Sequence, residues 1–356
     1  MSTERTSTEV EGITGIGTGA STDGSVVGQG TAVVAPEARR AARWGGLRNV
    51  DLYTLWPLAV TVLIIIATAL RSHRFLTVFN FENILSQAAP LGIVTMGQCI
   101  LLISAGLDLS VGYNISFASI VTGLMLEHND PLWIAIICGV AAATSVGFVN
   151  GVLVAQGRAH PFIITLGVSI FLFGLDTQLT GGAPVNDMKG LYTAFGGNFP
   201  SGFPFFGLPT VALPFIVVVL LTFVFLKWTP LGRRTYAIGG NEQAAYLSGI
   251  PVKWTKIYIY TIMGLLVGLT GMVLSGQINE ASFNLAQNFE LESIACAVIG
   301  GCALFGGRGG AFRALQGVIL YEVVQNSILF AGFTSNYQQM ALGIIIVIAV
   351  MVTRAQ

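Results

Sequence analysis

The chain has 356 residues, 17 basic and 17 acidic, so charged residues make up only 10% and the formal net charge is zero. An ordinary soluble domain carries about 25% charged residues; with 53% hydrophobic residues and a mean hydropathy of +0.75, the apolar surplus exceeds one water-borne core and requires a bilayer as solvent. No basic stripe is left to track phosphates, which excludes a nucleic-acid partner.

Residues 1 to 38 are Gly, Ser, Thr and Val with scattered charge and no helical or strand periodicity. The segment 1–50 therefore reads as a disordered cytoplasmic tail. It lacks the basic and apolar regions of a signal peptide. A G-x-G-x-x-A match at Gly15 to Ala20 has no strand before it and no helix after it, so it is not a nucleotide site.

The body, 51–356, contains ten apolar stretches: 52–70, 84–105, 109–126, 132–155, 161–180, 210–227, 257–278, 289–304, 314–331 and 337–353. Most reach the roughly 17–25 residues of a spanning helix. The sequence thus predicts an all-α integral membrane protein with about ten transmembrane helices. With both termini in the cytoplasm, that side collects Arg39, Arg40, Arg43, Arg48, Arg158, Lys227, Arg233, Arg234, Lys253, Lys256, Arg308, Arg313 and Arg354. The other side receives Arg71, Arg74 and Lys189. The asymmetry fits the positive-inside rule, and it puts the long 229–256 loop inside. The first and sixth spans then cross in opposite directions, the plan of an inverted pseudo-repeat.

Five carboxylates lie in or beside the spans. Glu290 and Glu292 open a helix, where its positive end favours them. Asp108, in a glycine-flanked break, is placed to cap the next helix. Asp176 and Glu322 lie deeper, where an intramembrane carboxylate suggests a pathway or relay. His73, His128 and His160 are scattered in loops, and Cys99, Cys138, Cys296 and Cys302 sit in apolar stretches without ligand spacing, so no metal site is predicted. No glycine precedes a lysine, so there is no Walker A loop. Gly147-x-x-x-Gly151 and Gly264-x-x-x-Gly268 permit close helix crossing. In the inner loop, Asn241 can cap a short helix that Gly249 can end, with Ala244 and Ala245 small enough for close docking of a partner; a helix resting on lipid headgroups is the alternative.

Four blocks now carry a resemblance. They are GLDLSVG at 106–112, HPFIITLG at 160–167 with LTGGAPV at 179–185, TPLGRRTYAIGGNEQAAYLSGI at 229–250, and ELESIACAVIGGCALFGGRGG at 290–310. In this order and spacing the chain resembles the permease subunits of monosaccharide ABC importers of bacteria, the ribose and xylose branch, from about residue 50 onward. The family commonly has a small residue, often glycine, where Arg313 stands, threonine where Ala314 stands, and serine followed by a small or apolar residue where Tyr113-Asn114 stands.

The resemblance implies a type II importer-like fold and a multi-pass subunit of the bacterial inner membrane. It implies a second permease copy (the same chain or a related one), an ABC ATPase subunit that binds ATP and Mg, and an external solute-binding protein. No cofactor belongs to the permease itself, which is not an enzyme. It also implies that Gly240, Asn241, Glu242, Ala244, Ala245 and Gly249 belong to the helix that contacts the ATPase. A neutral sugar calls for amides, hydroxyls and stacking faces, so Gln87, Gln98, Asn114, Phe117, Phe162, Thr165, Asn279 and Phe283 are the expected substrate path. Rival readings are a branched-chain amino-acid or nucleoside ABC permease and a proton-coupled carrier; an intramembrane enzyme lacks a clustered nucleophile.

Overall fold

The computed structural model describes residues 52–157, 159–186, 188–200 and 207–354. The tail, with Arg39, Arg40, Arg43 and Arg48, and Arg158 lie outside the described residues. In chain order the helices are α1 (Leu52–Arg71), α2 (Val78–Ile103), α3 (Val111–Glu127), α4 (Leu132–Gln156), α5 (Pro161–Thr180), α6 (Lys189–Phe195) and α7 (Ala212–Trp228). There follow α8 (Pro230–Gly240), α9 (Glu242–Leu247), α10 (Val252–Ile278), α11 (Phe289–Ile299), α12 (Ala311–Phe330) and α13 (Ser335–Arg354). Two short strands, β1 (Val185–Asn186) and β2 (Glu280–Ala281), pair antiparallel.

Each of the ten apolar stretches overlaps a helix, although α11 ends at Ile299, before the end of the 289–304 stretch. Among the described residues α2, α4, α5 and α10 are long and apolar enough to cross a membrane, and α7 with α8, bent by 72°, makes up to a fifth. The chain is a multi-pass membrane protein. Helices are the expected element here, because lipid offers backbone groups no partner and a helix satisfies its own.

Helix α2 is the axis of the body, buried on every side from Ala88 to Ile103. Its start lies six residues before the apolar stretch at 84, because Thr77 caps it and Asn80 is tied into the bundle. Asn80 and Asn326 of α12 exchange two amide hydrogen bonds, both 3.0 Å. Pro90 within α2 cannot donate to the carbonyl of Ser86. Gln277 of α10 takes that place, donating to Ser86 O at 2.8 Å and to its hydroxyl at 2.9 Å.

The glycine pairs act as their spacing predicts. A Cβ on Gly147 would stand 2.7 Å from the Gly264 Cα, and one on Gly264 would stand 2.6 Å from the Ala143 carbonyl oxygen. Helices α4 and α10 therefore touch backbone to backbone. The outer faces of α1, α4, α5 and α7 show Leu63, Ile137, Phe171 and Leu221, an arrangement that lipid accepts.

The β1–β2 pair joins Val185 to Ala281 and Asn186 to Glu280, so the 181–200 and 279–288 connections share one end of the bundle. Helices α8 and α9 cap the other end. The loop 229–256 thus holds two helices and the first turn of α10, where the sequence predicts one short helix.

Candidate functional site

Two concave regions lie at opposite ends of α10, about 40 Å apart by helical rise. The first is a cleft of about 520 Å³ beside β2, with polar side chains set among Leu91, Leu274, Ile278, Phe289 and Leu342, a volume suited to a small-molecule site. Ser86, Gln87 and Pro90 of α2 form one wall, and Gln277 of α10 joins them. Gln287, Asn288 and Glu292 enter from the start of α11, Tyr321, Glu322 and Gln325 from α12, and Gln338 and Gln339 from α13. No lysine, arginine or histidine is among these lining residues. The cleft offers amide donors and acceptors, a phenol and two carboxylates, a set suited to an uncharged ligand rich in hydroxyls.

The second region is a groove of about 660 Å³ between α9, the start of α10 and the end of α4. Asn241 caps α9, its Oδ1 accepting from the Ala244 N–H at 2.9 Å. Gly249 closes the helix with φ +82°: its N–H donates to Tyr246 O and the Ile250 N–H donates to Ala245 O, a Schellman ending. Lys256 of α10 pairs with Glu242 at 2.7 Å. Ala245 differs from the sequence expectation that it meets a partner. It is buried against Ile238 and Val252, while Tyr246 and Leu247 are 70% and 78% exposed. The cap and the exit turn fix the helix phase, and that phase directs Ala245 inward.

Between the two regions the break at 104–110 folds back into the bundle. Ser104, Asp108 and Ser110 are buried, and α5 and α10 bond this irregular backbone while α4 bonds its side chains, as membrane depth demands. Tyr260 of α10 donates to Leu107 O at 3.0 Å, and the Leu109 N–H donates to Thr165 Oγ1 of α5 at 3.1 Å. Asp108 Oδ1 accepts from the Ser110 N–H at 2.8 Å and from its hydroxyl at 2.6 Å. Asn150 of α4 donates to Ser110 Oγ at 2.8 Å. The cap expected of Asp108 is present, as a turn leading into α3. Glu290 and Glu292 stand in the first turn of α11 as expected.

The eight expected path residues do not meet in one cavity. Gln87 lines the cleft. Gln98 is fully buried in α2, and neither of its amide atoms has a partner among the described residues. Asn114 is buried between α3 and α4, donating to Ala143 O at 3.2 Å. Thr165 holds the 104–110 break. Phe117 is half-buried on α3, and Phe162 is exposed in the first turn of α5. Asn279 ends α10 in the left-handed conformation, its Oδ1 buried without a partner among the described residues. Phe283 lies edge-on to Phe173 at 6.1 Å, which in turn meets Tyr113 at 5.2 Å. Asp176 is fully buried nearby in the fold's α5, and both of its oxygens lack partners among the described residues.

The sequence reading passes over the cleft's other amides. The available signal is the run of glutamines at Gln277, Gln287, Gln325, Gln338 and Gln339, within or beside apolar stretches of the second half. Among the described residues no cluster of His, Cys, Asp and Glu is placed to hold a metal.

Comparison with known proteins bears on all of this. The ribose import permease of Bacillus subtilis is 36% identical over 302 residues, covering 84% of this chain and 92% of that protein. The ribose import permease of Escherichia coli K12 is 34% identical over 295 residues, 83% of this chain and 91% of the relative. The fructose import permease of Rhizobium meliloti is 33% identical over 304 residues, 83% and 84% of the two chains. No solved structure matches significantly. Residues 80–350 match the family described as branched-chain amino acid transport system / permease component, and the chain belongs to that family of import permeases.

Proposed function

We propose that this protein is the membrane subunit of an ATP-driven importer that carries a monosaccharide or related polyol across the bacterial inner membrane. The relatives named for ribose and fructose support the substrate class. The observation that carries it is the lining of the 520 Å³ cleft, rich in amides and free of basic side chains. An amino acid would bring a carboxylate, and the cleft holds no basic side chain to pair with it. A neutral sugar meets no such obstacle.

In this reading ten helices span the membrane: α1 to α5, α7 and α10 to α13, with both termini cytoplasmic. The thirteen-to-three distribution of basic residues supports that orientation. The β1–β2 end, with the cleft, faces outward to receive solute from a binding protein. Helix α9 and its groove face the cytoplasm and an ABC ATPase, which supplies all ATP chemistry. Two permease copies flank the route, and alternating access arises as they rock. Gln87 contributes to the outer part of the path, and Phe173 with Phe283 forms a stacking face beside α5.

The test is reconstitution in proteoliposomes with the ATPase and a sugar-binding protein. ATP-dependent accumulation of D-ribose or another neutral monosaccharide, unaffected by a protonophore, is the expected result. Uptake that follows a proton gradient without ATP would replace this reading with a secondary carrier. ATP-driven uptake of branched-chain amino acids, with no sugar transported, would replace it with an amino-acid importer.

A further inference from the structure

Gln325 and Asn326 are neighbours on α12, and the fold treats their amides in opposite ways. Asn326 is closed: both of its amide groups bond Asn80, each at 3.0 Å. Gln325 is open. It lines the cleft, it is only 9% exposed, and its Oε1 has no hydrogen-bond partner among the described residues. Its backbone is nevertheless held in place, since Gln338 of α13 donates to Gln325 O at 3.1 Å. A buried acceptor left without a donor costs about 1–3 kcal/mol, so the Gln325 Oε1, buried at the cleft wall without a donor, gains from any ligand donor that reaches it as the side chain turns toward the cleft.

The surroundings narrow the donor. Tyr321 stands one helical turn before Gln325 on the same face, against Glu292 and the Gln325 amide, and Glu322 completes this wall. The wall is thus mostly acceptor. Gln87 faces the same cavity from α2. A hydroxyl that donates to Gln325 and accepts from a neighbouring amide satisfies both sides, and a ligand with several hydroxyls does so at several points.

Resting on the reading of the cleft as part of a sugar path, we propose that Gln325 determines specificity, its Oε1 accepting a hydrogen bond from one ring hydroxyl of a neutral monosaccharide. The contact reads the presence of that hydroxyl and discriminates against the analogue that lacks it.

The experiment uses the complete transporter, permease, ATPase and solute-binding protein, in proteoliposomes. Uptake rates at saturating loaded binding protein are compared for D-ribose and its 2-deoxy, 3-deoxy and 4-deoxy analogues. Gln325→Met removes the acceptor at similar length and adds no charge. For D-ribose, Gln325→Met is expected to lower the rate about 3- to 10-fold, the worth of one neutral hydrogen bond. For one deoxy analogue the wild-type and Gln325→Met rates should coincide, because the hydroxyl partner is already gone.

A structural role would move all four sugars equally. That outcome, or an unchanged D-ribose rate in Gln325→Met, overturns the assignment while leaving the importer reading intact. If the wild-type transporter moves no neutral sugar, the importer reading fails and this inference with it.

Discussion

Gly112 is the point at which two interruptions of the helical body meet. A Cβ there would collide with Glu290 Oε2 and stand 2.6 Å from the Ala286 carbonyl oxygen. The bare backbone at the start of α3 lets the Glu290 carboxylate rest against it, where the helix N-terminus favours a negative charge. Gly112→Ala should therefore destabilise the folded protein by about 1–3 kcal/mol, the usual penalty for overpacking. Asn150→Ala should do so by about 1–3 kcal/mol, because it removes the donor to Ser110 Oγ and Asp108. Thermal unfolding in detergent checks both, with Ser145→Ala, on the exposed side of α4, as the control expected to change little. Asn114 belongs to this scale as well. Its bond to Ala143 O makes it a joint between α3 and α4, so Asn114→Ala should lower stability and leave the range of transported sugars unchanged.

At the scale of elements, α9 separates side chains that hold the helix from those that face away. Ala245 packs inward with Ile238 and Val252, whereas Leu247 projects outward. Ala245→Trp should consequently lower the amount of folded protein, and a loss of uptake there reports packing. Leu247→Asp should insert normally and yet cut ATP-driven uptake at least about tenfold, since a charge is placed in an apolar contact. Co-purification of the ATPase with each variant distinguishes the two: it should be lost in well-folded Leu247→Asp. Retained ATPase and normal uptake would place the docking surface elsewhere.

The same end of the molecule is tied to the core through glycines. The Gly307 N–H donates to Ile103 O at 2.9 Å, and Tyr236 of α8 donates to Gly309 O at 3.0 Å. Gly239, near the end of α8, lies directly on the Ile103 carbonyl. Ile103 ends α2, whose opposite end carries Ser86 and Gln87 into the cleft. A displacement of α8 and α9 thus bears on α2, the helix that runs between the two concave regions.

For the molecule as a whole, the orientation can be read by labelling. In a cysteine-free background, a cysteine at position 243 should react with an impermeant reagent only after the cell is opened. A cysteine at position 284, exposed beside the β1–β2 end, should react in intact cells. The reverse pattern would invert the proposed topology.

Hydrophobic stretches, charge asymmetry and cap residues are properties of short segments, and they determined by themselves where the helices run. A helix in lipid needs only its own residues to satisfy its backbone, which is why all ten stretches overlap helices. Asn241, Gly249 and Asp108 act through neighbours within a few positions, so their roles were equally legible, as was the glycine spacing behind the α4–α10 contact. The cleft was not legible. It gathers Ser86, Gln277, Glu292, Gln325 and Gln338 from five separate parts of the chain, and nothing local tells an amide that faces a cavity from one that is tied off. Gln325 and Asn326 are adjacent and chemically alike. Only the packing of α12 against α2 and α13 decided that Asn326 meets Asn80 while Gln325 joins the cleft wall with its carbonyl unpaired among the described residues, because a helix sends successive side chains about 100° apart.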